Sequence, residues 1–166
     1  WMHIASGVRG AADRWGRLVP VMLIGLPLLA VLIPVAVAVH GRWALLPAMI
    51  GICVALFFSA LGLSSIASAV APYAVSPPGE SPFQQPQRTS SRGVIAQGLV
   101  FSGAIALAAP ALWFGWEALT GDIEAAVSAL WFGVGVGVAV LVVGTAIGAF
   151  AFARRGGRIM EFAEAS

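Results

Sequence analysis

Residues 126–153 read AVSALWFGVGVGVAVLVVGTAIGAFAFA, an apolar stretch that contains no charged side chain. At about 1.5 Å of rise per residue, a helix of this length exceeds the roughly 30 Å hydrocarbon core of a bilayer. A helix that is apolar on every side has no face to present to water, so it is stable only when protein or lipid surrounds it. The stretch therefore predicts a membrane-spanning helix.

Three further uncharged stretches are long enough to span a bilayer, at residues 18–39, 43–71 and 93–116. The whole chain of 166 residues is 60% hydrophobic and only 10% charged, whereas soluble domains average about 25% charged residues. The sequence predicts an all-α integral membrane protein. Its four-transmembrane-helix bundle occupies residues 18–153, with a polar loop at 72–92 and a polar tail at 154–166.

The residues before the first span have a helical pattern of their own. Apolar side chains recur there at spacings of three and four, and most charged side chains fall on the other side; the apolar ones are Ile4, Val8, Ala11, Ala12, Trp15 and Leu18. This pattern is typical of an amphipathic helix that lies on a membrane surface. We expect a short amphipathic helix within residues 1–17, and the alternative is an irregular linker.

The arginines predict the orientation of the chain. Eight flank the spans on one side of the membrane and Arg42 alone lies on the other; the eight are Arg9, Arg14, Arg17, Arg88, Arg92, Arg154, Arg155 and Arg158. The positive-inside rule therefore places both ends and the 72–92 loop in the cytoplasm. The absence of lysine and asparagine, with abundant Ala, Gly and Val, suggests a GC-rich bacterial genome. We expect a multi-pass protein of the bacterial inner membrane, in contact with the lipid bilayer.

The same composition excludes several kinds of chemistry. No Asp, Glu, Lys, Arg or His lies within the four predicted spans, so a proton relay or an intramembrane hydrolase has no carboxylate or imidazole there. The missing lysine excludes a P-loop, and a single cysteine, Cys53, excludes an intrachain disulfide. His3 and His40 lie on opposite sides of the predicted membrane and share no metal. We expect no catalytic, cofactor-binding or metal-binding residue, no nucleic-acid partner and no enzymatic activity in this chain.

Small residues recur at helix-packing spacing in the predicted spans. In the fourth span they form two GxxxG pairs on one face, and the second span carries a similar stripe; the glycines are Gly133, Gly137, Gly144, Gly148, Gly51 and Gly62. Glycines at this spacing let helix backbones approach closely. The serines Ser59, Ser64, Ser65 and Ser68 fit packing better than nucleophilic catalysis, because no activating residue lies nearby.

The first span carries three prolines, Pro20, Pro27 and Pro34, at seven-residue intervals. Each proline removes a backbone donor and tends to kink a helix. Two interpretations remain open, a helix shaped for packing and a helix that moves.

The 72–92 loop is rich in proline and serine and is longer than ordinary connections between helices. Its two arginines, Arg88 and Arg92, lie close to the predicted membrane surface. They are candidates for contact with a cytoplasmic partner or with anionic lipid. The alternative is a loop that only connects two helix ends.

Residues 68–83 read SAVAPYAVSPPGESPF. This segment resembles the cytoplasmic loop of actinobacterial ABC transporter permeases of the ABC-2-like kind, and residues 6–18, SGVRGAADRWGRL, resemble the segment before a late helix of the same proteins. The resemblance implies the C-terminal portion of a longer permease, in agreement with a start that is not methionine. It also implies an ATP-driven exporter powered by a separate cytoplasmic ATP-binding subunit. The alternative is a self-contained four-helix membrane protein that scaffolds or regulates a complex.

Overall fold

The computed structural model describes residues 10–70 and 91–164, and this part of the chain is all-α. We label the four long helices α1 (Gly10–His40), α2 (Leu46–Val70), α3 (Ser91–Thr120) and α4 (Ala125–Glu164). A short 3-10 helix, Trp43–Leu45, precedes α2. Four segments of the described part are long and apolar enough to cross a bilayer, one for each long helix: Arg14–His40, Trp43–Ala69 (the 3-10 helix together with α2), Gly93–Thr120 and Ala125–Ala151. The predicted all-α class with four candidate membrane spans is confirmed.

The predicted short amphipathic helix within residues 1–17 is wrong. Residues 10–17 form the first turns of α1, which is itself a candidate span, and residues 1–9 lie outside the described part. The side chains also depart from the predicted amphipathic pattern: the charged Arg14 is buried, whereas the apolar Trp15 is 43% exposed. Arg14 can lie within α1 and inside the bundle because it donates hydrogen bonds to oxygen atoms of α2, which offset the cost of burying its charge.

Glycines end two of the helices. The backbone of Gly41 has φ +77°, and its N–H donates to the carbonyl of Val37 over 2.9 Å, as expected for a glycine that follows a helix. Gly121, after α3, has φ +142°. The Asp122 carboxylate then accepts a hydrogen bond from the Glu124 N–H over 3.2 Å at the start of α4. The Thr120 hydroxyl donates back into α3, to the carbonyls of Trp116 and Glu117, each over 3.1 Å.

Helix α2 lies at the centre of the bundle. It packs along α4 over most of its length and more briefly along α3, while α1 makes the least contact with its neighbours. The buried hydrophobic side chains are mostly alanine, and one cluster of α2 and α3 consists of Ala55, Ala108 and Ala111. Small side chains let the helices lie close together, which favours dispersion contacts in a lipid environment.

The outward surface of the bundle is strongly apolar. Leucine, isoleucine, valine and phenylalanine side chains are exposed along α1, α3 and α4, for example Leu23, Leu99 and Phe150. A soluble protein rarely exposes apolar surface of this extent. Lipid contact accounts for it, because acyl chains are as apolar as these side chains.

Candidate functional site

The most unusual group in the described part of the chain is a buried arginine. Arg14 on α1 is only 4% exposed. Its Nη1 donates to the carbonyl of Ser65 over 3.3 Å and to the Oγ of Ser68, both on α2. The Ser68 hydroxyl donates in turn to the Ser65 carbonyl over 3.0 Å. One guanidinium thus connects α1 to the carboxyl-terminal part of α2.

The position of these acceptors suits a cation. Ser65 and Ser68 lie in the last two turns of α2, where the helix dipole is negative. Ionisable side chains at membrane depth are rare, face the interior of a bundle and mark functional sites. Sequence reasoning missed Arg14 because it counted this arginine among the topology signals outside the first span. Its spacing of four from Leu18, which is also buried, was the signal that would have placed both on one face.

A second arginine joins helices at the opposite end of the bundle. The Nη1 of Arg42, in the turn after α1, donates to the carbonyl of Leu119 over 2.9 Å. Leu119 is the penultimate residue of α3, so its carbonyl has no donor within the helix. A groove of about 190 Å³ lies beside this contact; it is lined by Ala36, Val37, His40, Arg42, Leu45, Met49 and Leu119. We refer to the two ends of the bundle as the Arg14 end and the Arg42 end.

The six glycines singled out in the sequence lie between α2 and α4. A Cβ added at Gly133 would overlap the backbone of Gly51, whose Cα is 2.8 Å away, and one at Gly144 would lie 2.7 Å from the Cα of Gly62. A Cβ at Gly137 would lie 2.8 Å from the Val54 carbonyl oxygen, and one at Gly148 would lie 2.7 Å from the Ser65 Oγ. We call this line of contacts the glycine seam. That these glycines are required for helix association stays a prediction.

The serines of α2 have different surroundings. Ser64 is exposed, and Ser68 takes part in the Arg14 contact. Ser59 is completely buried, and its Oγ has no hydrogen-bond partner in the part of the chain that the structure describes. Ser59 therefore fits the packing interpretation through its small size, without a hydrogen bond to another helix within residues 10–70 and 91–164.

Ser59 gives a stability prediction. Burying a hydroxyl without a partner costs about 1–3 kcal/mol in protein mutational data. We therefore expect Ser59→Ala to raise the free energy of unfolding by about 1 kcal/mol. The measurement is an SDS unfolding titration in mixed micelles, with the exposed Ser64→Ala as a control that changes little. A destabilised Ser59→Ala protein would mean that this hydroxyl has a partner in the membrane.

The sequence also singles out two arginines of the 72–92 loop. Arg88 lies outside the described residues, and Arg92 is placed only by its backbone, in the first turn of α3. Within residues 10–70 and 91–164, no group of three or more His, Cys, Asp or Glu side chains is placed to hold a metal ion.

Four long apolar helices that pack on one another and expose apolar side chains define a class, the multi-pass helical membrane protein. Comparison of the chain with protein-family models, with curated proteins and with solved structures gives no match. The class therefore rests on the helices themselves, with their lipid-facing surface, the glycine seam and the two arginine contacts.

Proposed function

We propose that the chain is the membrane-spanning portion of an ATP-driven transporter of the ABC type, an exporter that works with a separate ATP-binding subunit. The observation that supports this most directly is the position of α2. This central helix contacts the other three, and its carboxyl end leads directly into residues 71–90. Those residues hold most of the segment that resembles the cytoplasmic loop of ABC-2-like permeases. A subunit bound to this loop would act on the helix that is packed against all the others.

The proposal includes an orientation, with the Arg14 end and the 71–90 segment in the cytoplasm of a bacterial cell. The arginine distribution supports it through the positive-inside rule. Exposed tryptophans lie at both ends of the bundle, Trp15 at the Arg14 end and Trp43, Trp113 and Trp116 at the Arg42 end, so they mark the two interfaces and leave the orientation to the arginines. Indole rings commonly lie at the membrane–water interface.

Reporter fusions test this orientation. Fusions after Gly41 and Ala118 should report an external location, and fusions after Gln85 and Ser166 should report the cytoplasm, because arginine-rich segments remain inside. Alkaline phosphatase activity and green fluorescence measure the two locations independently. A cytoplasmic signal at Gly41 contradicts the proposed topology.

The transporter proposal is tested by replacing the central part of the loop. In the full-length protein, residues 77–86 are exchanged for a Gly-Ser sequence of equal length, and Arg88 and Arg92 are kept. We expect normal membrane insertion and loss of the ATP-hydrolysing subunit from the purified complex, because the prolines that limit the loop conformations are gone. The matched control exchanges Arg88 and Arg92 for lysine and leaves the proline-rich sequence intact.

The alternative function is a self-contained membrane scaffold. The close backbone packing of α2 against α4 favours it, because such packing builds a rigid bundle without further helices. The same experiment distinguishes the transporter from the scaffold. A parent protein that purifies without any ATP hydrolysis contradicts the transporter and supports the scaffold. If the ATP-hydrolysing subunit still co-purifies after the loop exchange, the loop only connects two helix ends.

A further inference from the structure

Helix α1 meets the rest of the bundle along one narrow stripe. The least exposed side chains of this helix recur at intervals of three, four or eight residues, which keeps them on one face. They include Arg14, Leu18, Met22, Gly25, Ile33 and Val37. At about 100° per residue, Pro20 and Pro27 fall on the opposite face and are exposed, whereas Pro34 is half-buried next to Ile33. Pro20 and Pro27 therefore lie away from the contact stripe, and Pro34 borders it.

The apolar part of this stripe holds α1 only loosely. Leu18 and Met22 pack against side chains of α2 and α4, and Gly25 faces the ring of Phe57, which is the end of a rotatable side chain. The glycine seam is held more rigidly, because there the backbone of α2 contacts the backbone of α4 directly. Apolar contacts between membrane helices exchange for lipid contacts at little cost, since acyl chains are equally apolar. Polar contacts therefore determine where α1 stays.

The two polar contacts lie at opposite ends of α1 and differ in kind. At the Arg42 end, the chain itself joins α1 to the 3-10 helix through a tight turn, and Arg42 adds its bond to Leu119. At the Arg14 end, side-chain hydrogen bonds from Arg14 to Ser65 and Ser68 hold α1 against α2, next to the apolar contact of Leu18. A fixed attachment at one end and a breakable one at the other are the mechanical requirements of a hinged helix.

We propose that Arg14 is a latch: its bonds to Ser65 and Ser68 hold α1 closed on α2, and their release lets α1 swing about the Arg42 end. Release is feasible because Arg14 is the first residue of the candidate span. From there its long side chain can reach the polar interface, where water and headgroups replace the lost acceptors. The acceptors of the latch lie in the last two turns of α2. The inference does not depend on the transporter proposal, since it concerns only how α1 is held.

Pulsed EPR distances test the latch in the full chain, reconstituted in lipid nanodiscs with Cys53→Ala as background. One label pair, Gly16→Cys with Ser64→Cys, reports on the Arg14 end. A second pair, Val39→Cys with Leu119→Cys, reports on the Arg42 end. All four positions are exposed, so the labels do not displace the core.

Arg14→Met keeps an apolar stem and removes the donors. We expect it to broaden the distance distribution at the Arg14 end and to lengthen its mean by about 5 Å, the scale of a large helix displacement. The distribution at the Arg42 end should not change. Ser68→Ala, which removes one acceptor, should give a smaller change in the same direction. Arg14→Lys, which keeps a charge and a donor, should stay closer to the parent.

Arg17→Met is the matched control, since Arg17 is on the same helix and carries the same charge but is exposed. It should change the distribution at the Arg14 end less than Arg14→Met does. An Arg14→Met protein with the parent distribution at the Arg14 end overturns the latch. So does a change at both ends together, because that result would make Arg14 a residue that holds the whole bundle. An equal effect of Arg17→Met would assign the movement to charge at the membrane surface.

Discussion

Leucine in place of Gly133 or Gly144 is expected to separate α2 from α4. At both positions the added Cβ would overlap the backbone of the facing glycine, Gly51 or Gly62, and neither backbone can move aside without displacing its helix. Overpacking a core usually costs about 1–3 kcal/mol, and occasionally more, when side chains can adjust. Here backbone meets backbone, so we expect the free energy of unfolding to fall by at least about 3 kcal/mol.

The seam contains its own control. Gly135 lies on the same helix between the seam positions, is exposed, and has no described heavy atom within 4 Å of an added Cβ. Gly135→Leu should therefore leave the stability close to that of the parent. The measurement is an SDS titration in mixed micelles, followed by the fluorescence of the six tryptophans. If Gly133→Leu, Gly144→Leu and Gly135→Leu all unfold like the parent, the α2–α4 contact is not what holds the bundle.

Alanine at Gly41 and alanine at Gly16 are expected to have opposite effects. Gly41 has φ +77°, a conformation that costs an L-residue roughly 1–2 kcal/mol. Gly16 lies within α1 without a positive φ, where alanine is favoured over glycine by about 0.8–1.0 kcal/mol. We thus expect Gly41→Ala to be less stable than the parent and Gly16→Ala to be slightly more stable.

Steric effects do not confuse this comparison. An added Cβ at either glycine has no described heavy atom within 4 Å, so the backbone alone sets the sign. Thermal unfolding in one detergent, monitored by circular dichroism, measures both variants against the parent. A Gly41→Ala protein as stable as the parent would show that the turn after α1 adopts another conformation in the membrane.

The number and positions of the spans were predictable because a bilayer imposes one simple requirement, a long stretch without charge. The glycine seam was partly predictable, since GxxxG spacing on α4 marks a face for close packing. The sequence did not predict which helix packs against that face, because α2 and α4 are separated in the sequence by a whole helix. Spacing along one helix carries no information about which other helix covers it.

Arg14 shows a different limit of sequence reasoning. An arginine beside an apolar stretch is most often a topology signal, and the apolar pattern before residue 18 put it on a polar face. Whether it is buried depends on acceptors at Ser65 and Ser68, which belong to another helix. A charge enters a bundle only where a partner compensates it, so its burial is a property of the pair.

The pairing of α2 with α4 has a consequence for biosynthesis. When α2 leaves the ribosome, the helix that covers Gly51 and Gly62 has not yet been made. At about 5–20 residues per second, the delay until Gly144 emerges is on the order of 10 s. During that time the bare backbone face of α2 is open to lipid, to α1 and to any other glycine-bearing helix nearby. The order of synthesis thus leaves Gly51 and Gly62 without their α4 partner until nearly the whole chain has been made.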